Sequence, residues 1–346
     1  MEIPWPAWFL PYHPYRLVRS ARSWRQRRRL GLGPLRTPPV TSIPVVDREA
    51  FSRSGYRPQP VADLPYEQQA MDYVIVNELL NLDDVSIELD DGGVVVWRDS
   101  RGVGQNHPVY LVQYALAALG GFTRTGDRRY MDRAVVNAER LITLAEPDEN
   151  GDLWFPYHFP HQYYDVTMPV PWWSSMGQGQ PLSLFSRLAG LLPEDVRWRP
   201  LADATFRTFN GWRALGQPWV TTMDTHGCLW FEEYAGDVEP LLVLNGHVFA
   251  LYGLYDYAML TGDALAVELF DGGSTTVREH FDTIRVPGGI SYYCARDGYC
   301  QRPEWQNVAY HPIHIQQMRM LAAMTGDAWF GRAADLLTAD AEAQIT

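Results

Sequence analysis

Four segments of the chain repeat one plan. YALAALGGFTRTGDRRYMDRAV, SLFSRLAGLLPEDVRWRPLADA, ALYGLYDYAMLTGDALAVELF and MRMLAAMTGDAWFGRAADLL each read as a helix rich in small residues, a tight Thr-Gly-Asp or Pro-Glu-Asp turn, and a second helix. The turns begin at Thr125, Pro193, Thr261 and Thr325, at spacings of 68, 68 and 64 residues. Glycine at a helix end supplies a left-handed cap and aspartate opens the next helix, so the turn chemistry is right on both sides. A helical hairpin cannot bury its apolar face alone, and hairpins repeated at this period stack into a solenoid or a closed ring. The fold expected is all-α: an α/α toroid over residues 61–346, preceded at 1–60 by an arm rich in proline, aromatic residues and arginine.

The segments between the hairpins are long and dense in aromatic and polar residues: WRDSRGVGQNHPVY, WFPYHFPHQYYDVTMPVPWWSSMGQGQ, WFEEYAG and ISYYCARDGYCQRPEWQNVAYHPIH. All four fall at the same phase of the repeat, opposite the short turns, and must gather at one end. Loops carrying Tyr, Trp, Glu, Arg and His at the mouth of a rigid body make a natural site for a large ligand. A short β-hairpin around DDGG, in SIELDDGGVVVWRD, is expected to rim that mouth.

Composition excludes several classes. At 346 residues and 46% hydrophobic the chain is globular, and no apolar run approaches the roughly 20 residues of a membrane helix. The first 15 residues hold four prolines and precede the positive charges, the wrong order for a signal peptide, so a cytoplasmic location is expected. Residues 1–46 carry eight arginines and one acid, a net of +7, which leaves −19 for the rest of a chain whose total is −12. The basic arm suits an acidic face of the protein itself, an anionic polymer or a membrane surface; the acidic body argues against nucleic acid. Three cysteines, Cys228, Cys294 and Cys300, without a CxxC pair indicate neither a disulfide framework nor a structural zinc site, and favour a reducing compartment. The abundance of aromatic and acidic residues suits the gripping of hydroxylated rings such as sugars.

Residues 230–234, WFEEY, wedge two adjacent carboxylates between aromatic rings. Ionised carboxylates avoid burial unless partnered, so Glu232 and Glu233 have a partner, a raised pKa or a task, unless they lie solvated at a loop edge.

PWWSSMGQGQPLSLFSRL, WFEEY followed by VLNGHVFALYGLYDY, and YHPIHIQQMRML resemble, in order, the motif set of the D-glucuronyl C5-epimerases, which convert glucuronate to iduronate within heparosan-type polysaccharides. The resemblance covers roughly residues 100–335. It implies an incomplete α/α barrel, no cofactor and no catalytic metal. It leaves the first hundred residues, where the animal enzymes carry a β-barrel domain, without a counterpart. It implies Glu233 and Tyr234 as active-site residues, Tyr310 as the proton carrier on the opposite face, and Arg296, three residues after Tyr293, as a holder of the uronate carboxylate. Tyr310 also reads as an aromatic helix cap. Gln178, Gln180 and Asn245 are expected to face the pocket or one another. His311 and His314, three apart without a third ligand at a recognisable spacing, are expected to form hydrogen bonds near the site. Two positions depart from the family: Trp173 stands where a tyrosine is usual, and His107 replaces a tyrosine before a proline. His107 has a near-neutral unperturbed pKa that suits proton transfer or hydrogen bonding.

The reaction implied removes the hydrogen α to the C6 carboxylate and returns a proton to the other face, which needs two groups on opposite sides of the sugar and donors for the developing charge. A polysaccharide lyase shares the first step, and a non-catalytic glycan-binding toroid would share the aromatic residues. The expected partner is a uronate-containing polysaccharide or glycan precursor; a homodimer is open.

Overall fold

The computed structural model describes residues 40, 42–44, 46–60, 79–84, 87–98, 102–105, 107–163 and 166–343. Most of the arginine-rich arm lies outside the described residues.

Each repeat is a helical hairpin: α1 (Pro108–Thr125) with α2 (Arg128–Ile142), α3 (Ser175–Leu191) with α4 (Trp198–Arg207), α5 (Leu244–Thr261) with α6 (Ala264–Glu279), and α7 (His311–Thr325) with α8 (Ala328–Ala343). The first helices of the pairs form an inner layer, α1 against α3, α3 against α5 and α5 against α7, and each is backed by its own partner. Among the described residues α1 and α7 do not pack together to a comparable extent, so the described helices form an α/α ring that does not close between α1 and α7. Sequence explains the layers. Helix α5 is buried without a break from Leu244 to Ala258, whereas α2 buries Tyr130, Met131, Ala134, Asn137, Ala138 and Leu141, the stripe of an amphipathic outer helix.

Two devices draw the inner helices together. A Cβ on Gly253 would stand 2.1 Å from the carbonyl oxygen of Gly179, and one on Gly179 would stand 2.5 Å from the Ala250 Cα, so α3 and α5 touch backbone to backbone. Farther along, Arg187 of α3 forms a fully buried ion pair with Asp256 of α5, at 2.7 and 3.1 Å, joined by the Ser183 hydroxyl. Removing either partner would strand a buried charge at a cost of roughly 3–5 kcal/mol.

At three of the short turns, Gly126, Gly262 and Gly326 adopt φ near +70° and cap α1, α5 and α7. The Pro-Glu-Asp turn is looser: Leu192, the C-cap of α3, is not left-handed, and α4 starts at Trp198 without a side-chain cap.

The opposite end carries the irregular connections and, among the described residues, four two-stranded sheets: β1 (Trp97–Arg98) with β2 (Gly104–Gln105), β3 (Glu146–Pro147) with β4 (Leu153–Trp154), β5 (Gln162–Tyr163) with β6 (Val166–Thr167), and β7 (Thr221–Met223) with β8 (Leu229–Phe231), all antiparallel. The DDGG hairpin is present, with Asp90 N–H on Val94 O at 2.8 Å and Val96 N–H on Glu88 O at 2.9 Å, and it rests on Asn137 of α2. Residues 51–59 cross the outer surface as a strap: Phe51 and Tyr56 are buried, and the amides of Ser54, Gly55 and Tyr56 donate to Asp271 of α6.

One expectation is corrected. Cys294 and Cys300 form a disulfide that closes a short loop between α6 and α7, and Cys228 is the free, buried thiol. The pairing is set by the fold of that loop, which no spacing rule carries, and it removes the argument from cysteine count to a reducing compartment. Among the described residues no helix is long and apolar enough to cross a membrane.

Candidate active site

Strand β8 delivers the WFEEY segment into the mouth. It is pinned by His247 of α5, whose Nδ1 accepts from Phe231 N–H at 2.9 Å while Nε2–H donates to Gly273 O at 2.9 Å. Burial pushes this imidazole down to about 4, so it stays neutral.

The two carboxylates beyond the strand divide. Glu232 is fully buried and structural: Oε1 accepts from Tyr234 N–H at 3.0 Å and Oε2 from Leu242 N–H at 2.9 Å, which ties the two sides of the loop together. Its partners are backbone amides, and it forms no ion pair among the described residues. Glu233 turns toward the tyrosines. Its Oε1 accepts from the Tyr293 hydroxyl at 3.2 Å, whereas its Oε2 is buried with no hydrogen-bond partner among the described residues. Burial raises its pKa to about 7, against the hydroxyls of Tyr234 and Tyr293 and the Asn245 amide, which favour the ionised form. The glycine of the LNG motif is explained here, since a Cβ on Gly246 would stand 2.5 Å from Glu233 Oε2.

Around Glu233 the four irregular connections meet as one aromatic wall. Tyr234 and Tyr293 touch through their hydroxyls at 3.1 Å, and the Tyr310 ring meets the Tyr293 ring edge-on at 4.6 Å. Burial and the neighbouring Glu233 hold the Tyr234 and Tyr293 phenols far above their usual range, so both remain proton donors. On the other side His161 stacks on Tyr234 at 5.2 Å with the rings nearly parallel, and Trp172 lies 5.9 Å from Tyr234 and stacks on Tyr157 at 4.0 Å. The wall continues through Tyr157 to His107, which packs on Trp97 and Phe159.

The structure sorts the residues expected at the site. Glu233, Tyr234, Tyr293 and Tyr310 come together, with Asn245 beside them. Tyr310 stands at the start of α7 without a capping side-chain hydrogen bond. Arg296, inside the disulfide loop, stacks its guanidinium on the Tyr299 ring at 4.7 Å and forms no ion pair among the described residues. His107 caps α1, its Nδ1 accepting from Tyr110 N–H at 3.3 Å.

Others are engaged elsewhere. Gln178 is a satisfied core amide, bonded to Phe155 N, Leu153 O and Thr208 Oγ1, and it does not face the pocket. His311 uses both nitrogens internally, Nδ1 on Ser291 and Nε2 on Leu337 O. Trp173 packs on the main core, and its neighbour Trp172 is the ring facing Tyr234. Gln180 is fully buried with neither amide atom partnered among the described residues. His314 shares Ser291 Oγ through Nδ1 at 2.9 Å, leaves Nε2 unpartnered among the described residues, and is held neutral by burial, its pKa down at about 3.

Sequence reasoning did not single out Tyr157, Phe159, His161 and Trp172 of the aromatic wall, nor the buried amides Gln113 and Gln317, the latter bonded to Asn245 O. Gln113 was within reach: like Gln180 it is the sixth residue of an inner helix, and its Oε1 too is buried without a partner among the described residues. A second group, Asp224, Cys228 and His280, also went unseen.

The chain is 26% identical over 205 residues to an uncharacterized protein of Methanocaldococcus jannaschii, covering 58% of this chain and 64% of that one. It is 22% identical over 182 residues to the D-glucuronyl C5-epimerase of Caenorhabditis elegans, covering 49% of this chain and 29% of the relative. It thus spans less than two thirds of either curated relative. An α-1,6-mannanase of a Salegentibacter species superposes with a TM-score of 0.49 at 14% identity, covering 79% of this chain and 68% of the mannanase. The sequence profile of the D-glucuronyl C5-epimerase C-terminus matches residues 147–338, more than half of the chain, and includes every residue of the Glu233 cluster; the chain belongs to that family.

Proposed function

We propose that the protein interconverts D-glucuronate and L-iduronate residues of a glycan by taking the C5 proton from one face of the sugar and returning a proton to the other. The observation that carries this reading is Glu233: a buried carboxylate with a proton affinity near neutrality, one oxygen held by a tyrosine and the other unmatched at the mouth of an aromatic-walled barrel.

The C5 hydrogen is acidified by the adjacent C6 carboxylate, yet its removal builds a second negative charge beside the first. Ionised Glu233 takes the proton at Oε2, and a base poised near the working pH is the efficient choice. The Tyr234 and Tyr293 hydroxyls, which stay protonated, donate to the enolate-like intermediate in a water-poor site. Arg296 receives the C6 carboxylate. Tyr310 delivers a proton to the opposite face, and the C5–H bond is remade with inverted configuration. The turnover leaves Glu233 protonated and Tyr310 as its phenolate, and proton exchange with solvent resets both before the next sugar; no oxidant or reductant is consumed.

The experiment is incubation of a glucuronate-containing glycan with the protein in deuterated water. Deuterium at C5 together with iduronate supports the reading. An unsaturated uronate absorbing in the ultraviolet would make the protein a lyase, and binding without exchange would make it a glycan-binding module; either result overturns it.

A further inference from the structure

On the rim of the body, metal-ligating groups of three kinds converge. The turn of the β7–β8 hairpin reads Asp224-Thr225-His226-Gly227-Cys228, with donors at alternate positions, and His280 at the end of α6 faces it. His280 Nε2 lies 2.9 Å from Asp224 Oδ2, and one donor atom from each of Asp224, Cys228 and His280 falls within 4.8 Å of the others. The three side chains are almost fully buried.

Outer contacts already orient these donors as a metal requires. The Nδ1 of His280 faces the Thr276 carbonyl oxygen at 3.1 Å, which makes that nitrogen the N–H donor and leaves Nε2 to the cluster. Asp224 Oδ1 is held by the amides of His226 and Cys228 at 2.8 and 3.0 Å, and Oδ2, which accepts from Trp230 Nε1–H at 2.9 Å, is the oxygen turned toward His280. A fourth donor is at hand: the exposed His226 ring lies 6.2 Å from the His280 ring, and its contact with Asp297 at 3.4 Å, between two exposed side chains, holds it only weakly.

We propose that Asp224, Cys228 and His280 form a zinc site, with His226 of the same turn closing the fourth position. A thiolate, two imidazoles and one carboxylate suit a borderline-soft tetrahedral ion and exclude calcium and magnesium, which take oxygen ligands. Donors at 2.0–2.3 Å on a tetrahedron stand about 3.3–3.8 Å apart, so the three buried groups reach that geometry with shifts of about 1 Å. Binding displaces the protons of the Cys228 thiol and of His280 Nε2 into solvent as the metal bonds form. The site is structural. Cys228 precedes Glu233 by five residues of largely extended chain, roughly 15 Å, and the ion joins the hairpin to α6 beside Trp230, whose ring meets His280 at 5.0 Å.

The test uses the whole chain, stripped with a chelator and desalted, then titrated with zinc chloride by calorimetry and with cobalt chloride by absorption. Expected are one zinc per chain, a melting temperature raised by several degrees, and a cobalt spectrum with tetrahedral visible bands and an intense thiolate charge-transfer band in the near ultraviolet. Cys228→Ser should keep the fold, lose the charge-transfer band and weaken zinc binding at least about tenfold; His226→Ala should weaken binding less. No stoichiometric binding at micromolar zinc, an octahedral cobalt spectrum, or binding indifferent to Cys228→Ser would overturn the proposal and leave the cluster as a His280–Asp224 ion pair.

Discussion

The two ends of the helical body are made from the same helices, yet they treat polar groups in opposite ways. At the short-turn end polar groups close on near neighbours: Thr261 Oγ1 donates to Tyr257 O and accepts from Asp263 N–H, and the Asp263 carboxylate accepts from Ala266 N–H. Thr125 and Thr325 repeat the pattern with Asp127 and Asp327. At the mouth, Glu233 Oε2, Asn245 Oδ1, His314 Nε2 and Gln317 Oε1 are buried without partners among the described residues. An unmatched buried polar atom costs about 1–3 kcal/mol. The Thr-Gly-Asp turns satisfy their polar groups locally, whereas at the Pro-Glu-Asp turn Trp198 Nε1 is buried without a partner among the described residues; the mouth gathers several such atoms, where a ligand or water completes them.

The adjacent glutamates bring that contrast to a single peptide bond and give the largest expected effect. Glu233→Gln should lower the rate of C5 exchange by at least about 100-fold, the share of a general base, with thermal stability kept or raised. Glu232→Gln should do the reverse: an amide N–H₂ set against a backbone N–H costs roughly 1–3 kcal/mol of stability, while turnover per folded molecule stays within a few fold of the parent. Exchange rates and melting curves on both variants decide it. Equal activity losses, or the opposite order, would erase the division of labour read from the hydrogen bonds.

Tyr310→Phe comes next. It deletes one hydroxyl and little volume, so the variant should still wash deuterium into unepimerised glucuronate, slowly, while forming little iduronate, because the intermediate recaptures a proton from the side it left. Epimerisation at the parent rate would reassign the second proton carrier to His107 or Tyr234.

Activity and stability at the mouth should also respond to pH in opposite directions. The Glu233 carboxyl has its folded pKa raised from 4.5 to about 7 by burial. Below 4.5 it is protonated in both folded and unfolded states and its contribution is fully present; between 4.5 and about 7 the unfolded chain ionises it freely while the folded protein keeps the proton, so stability is lost, on the order of 3 kcal/mol in all. Turnover should rise through the same interval as the base ionises. His247 and His314, held neutral by burial, act oppositely on stability as pH falls below the unfolded histidine range. The quantity to measure is therefore the stability of Glu233→Gln minus that of the parent, which should grow from pH 4.5 to above 7. A flat difference would place Glu233 in contact with bulk water.

How far the sequence reaches follows the same divide. Thr-Gly-Asp is local chemistry, so four hairpins and their order could be read directly. The mouth is built from long-range contacts, and there single positions slipped. Trp172 and Trp173 are neighbours that face opposite ways; the motif match singled out Trp173, and it is the Trp172 ring that meets Tyr234. Gln178 and Gln180 are two apart on a helix, about 200° around its axis, so they could not both face the pocket, and helical geometry alone separates them. The disulfide depends on how residues 294–300 fold, and His280 meets Asp224 across 56 residues.

The smallest effect expected is at the far end. Asp263→Ala removes the carboxylate that caps α6 through Ala266 N–H at 2.9 Å but leaves the Thr261 bond to the residue 263 amide in place. Loss of such a cap costs about 1 kcal/mol. Because the turn lies at the opposite end of α5 from Asn245 and Gly246, which adjoin Glu233, the missing cap should lower the melting temperature by a few degrees and leave kcat and its pH dependence unchanged. A fall in kcat beyond what the unfolded fraction explains would show that strain at the turns reaches Glu233 through α5, and the two ends would then have to be treated as one cooperative unit.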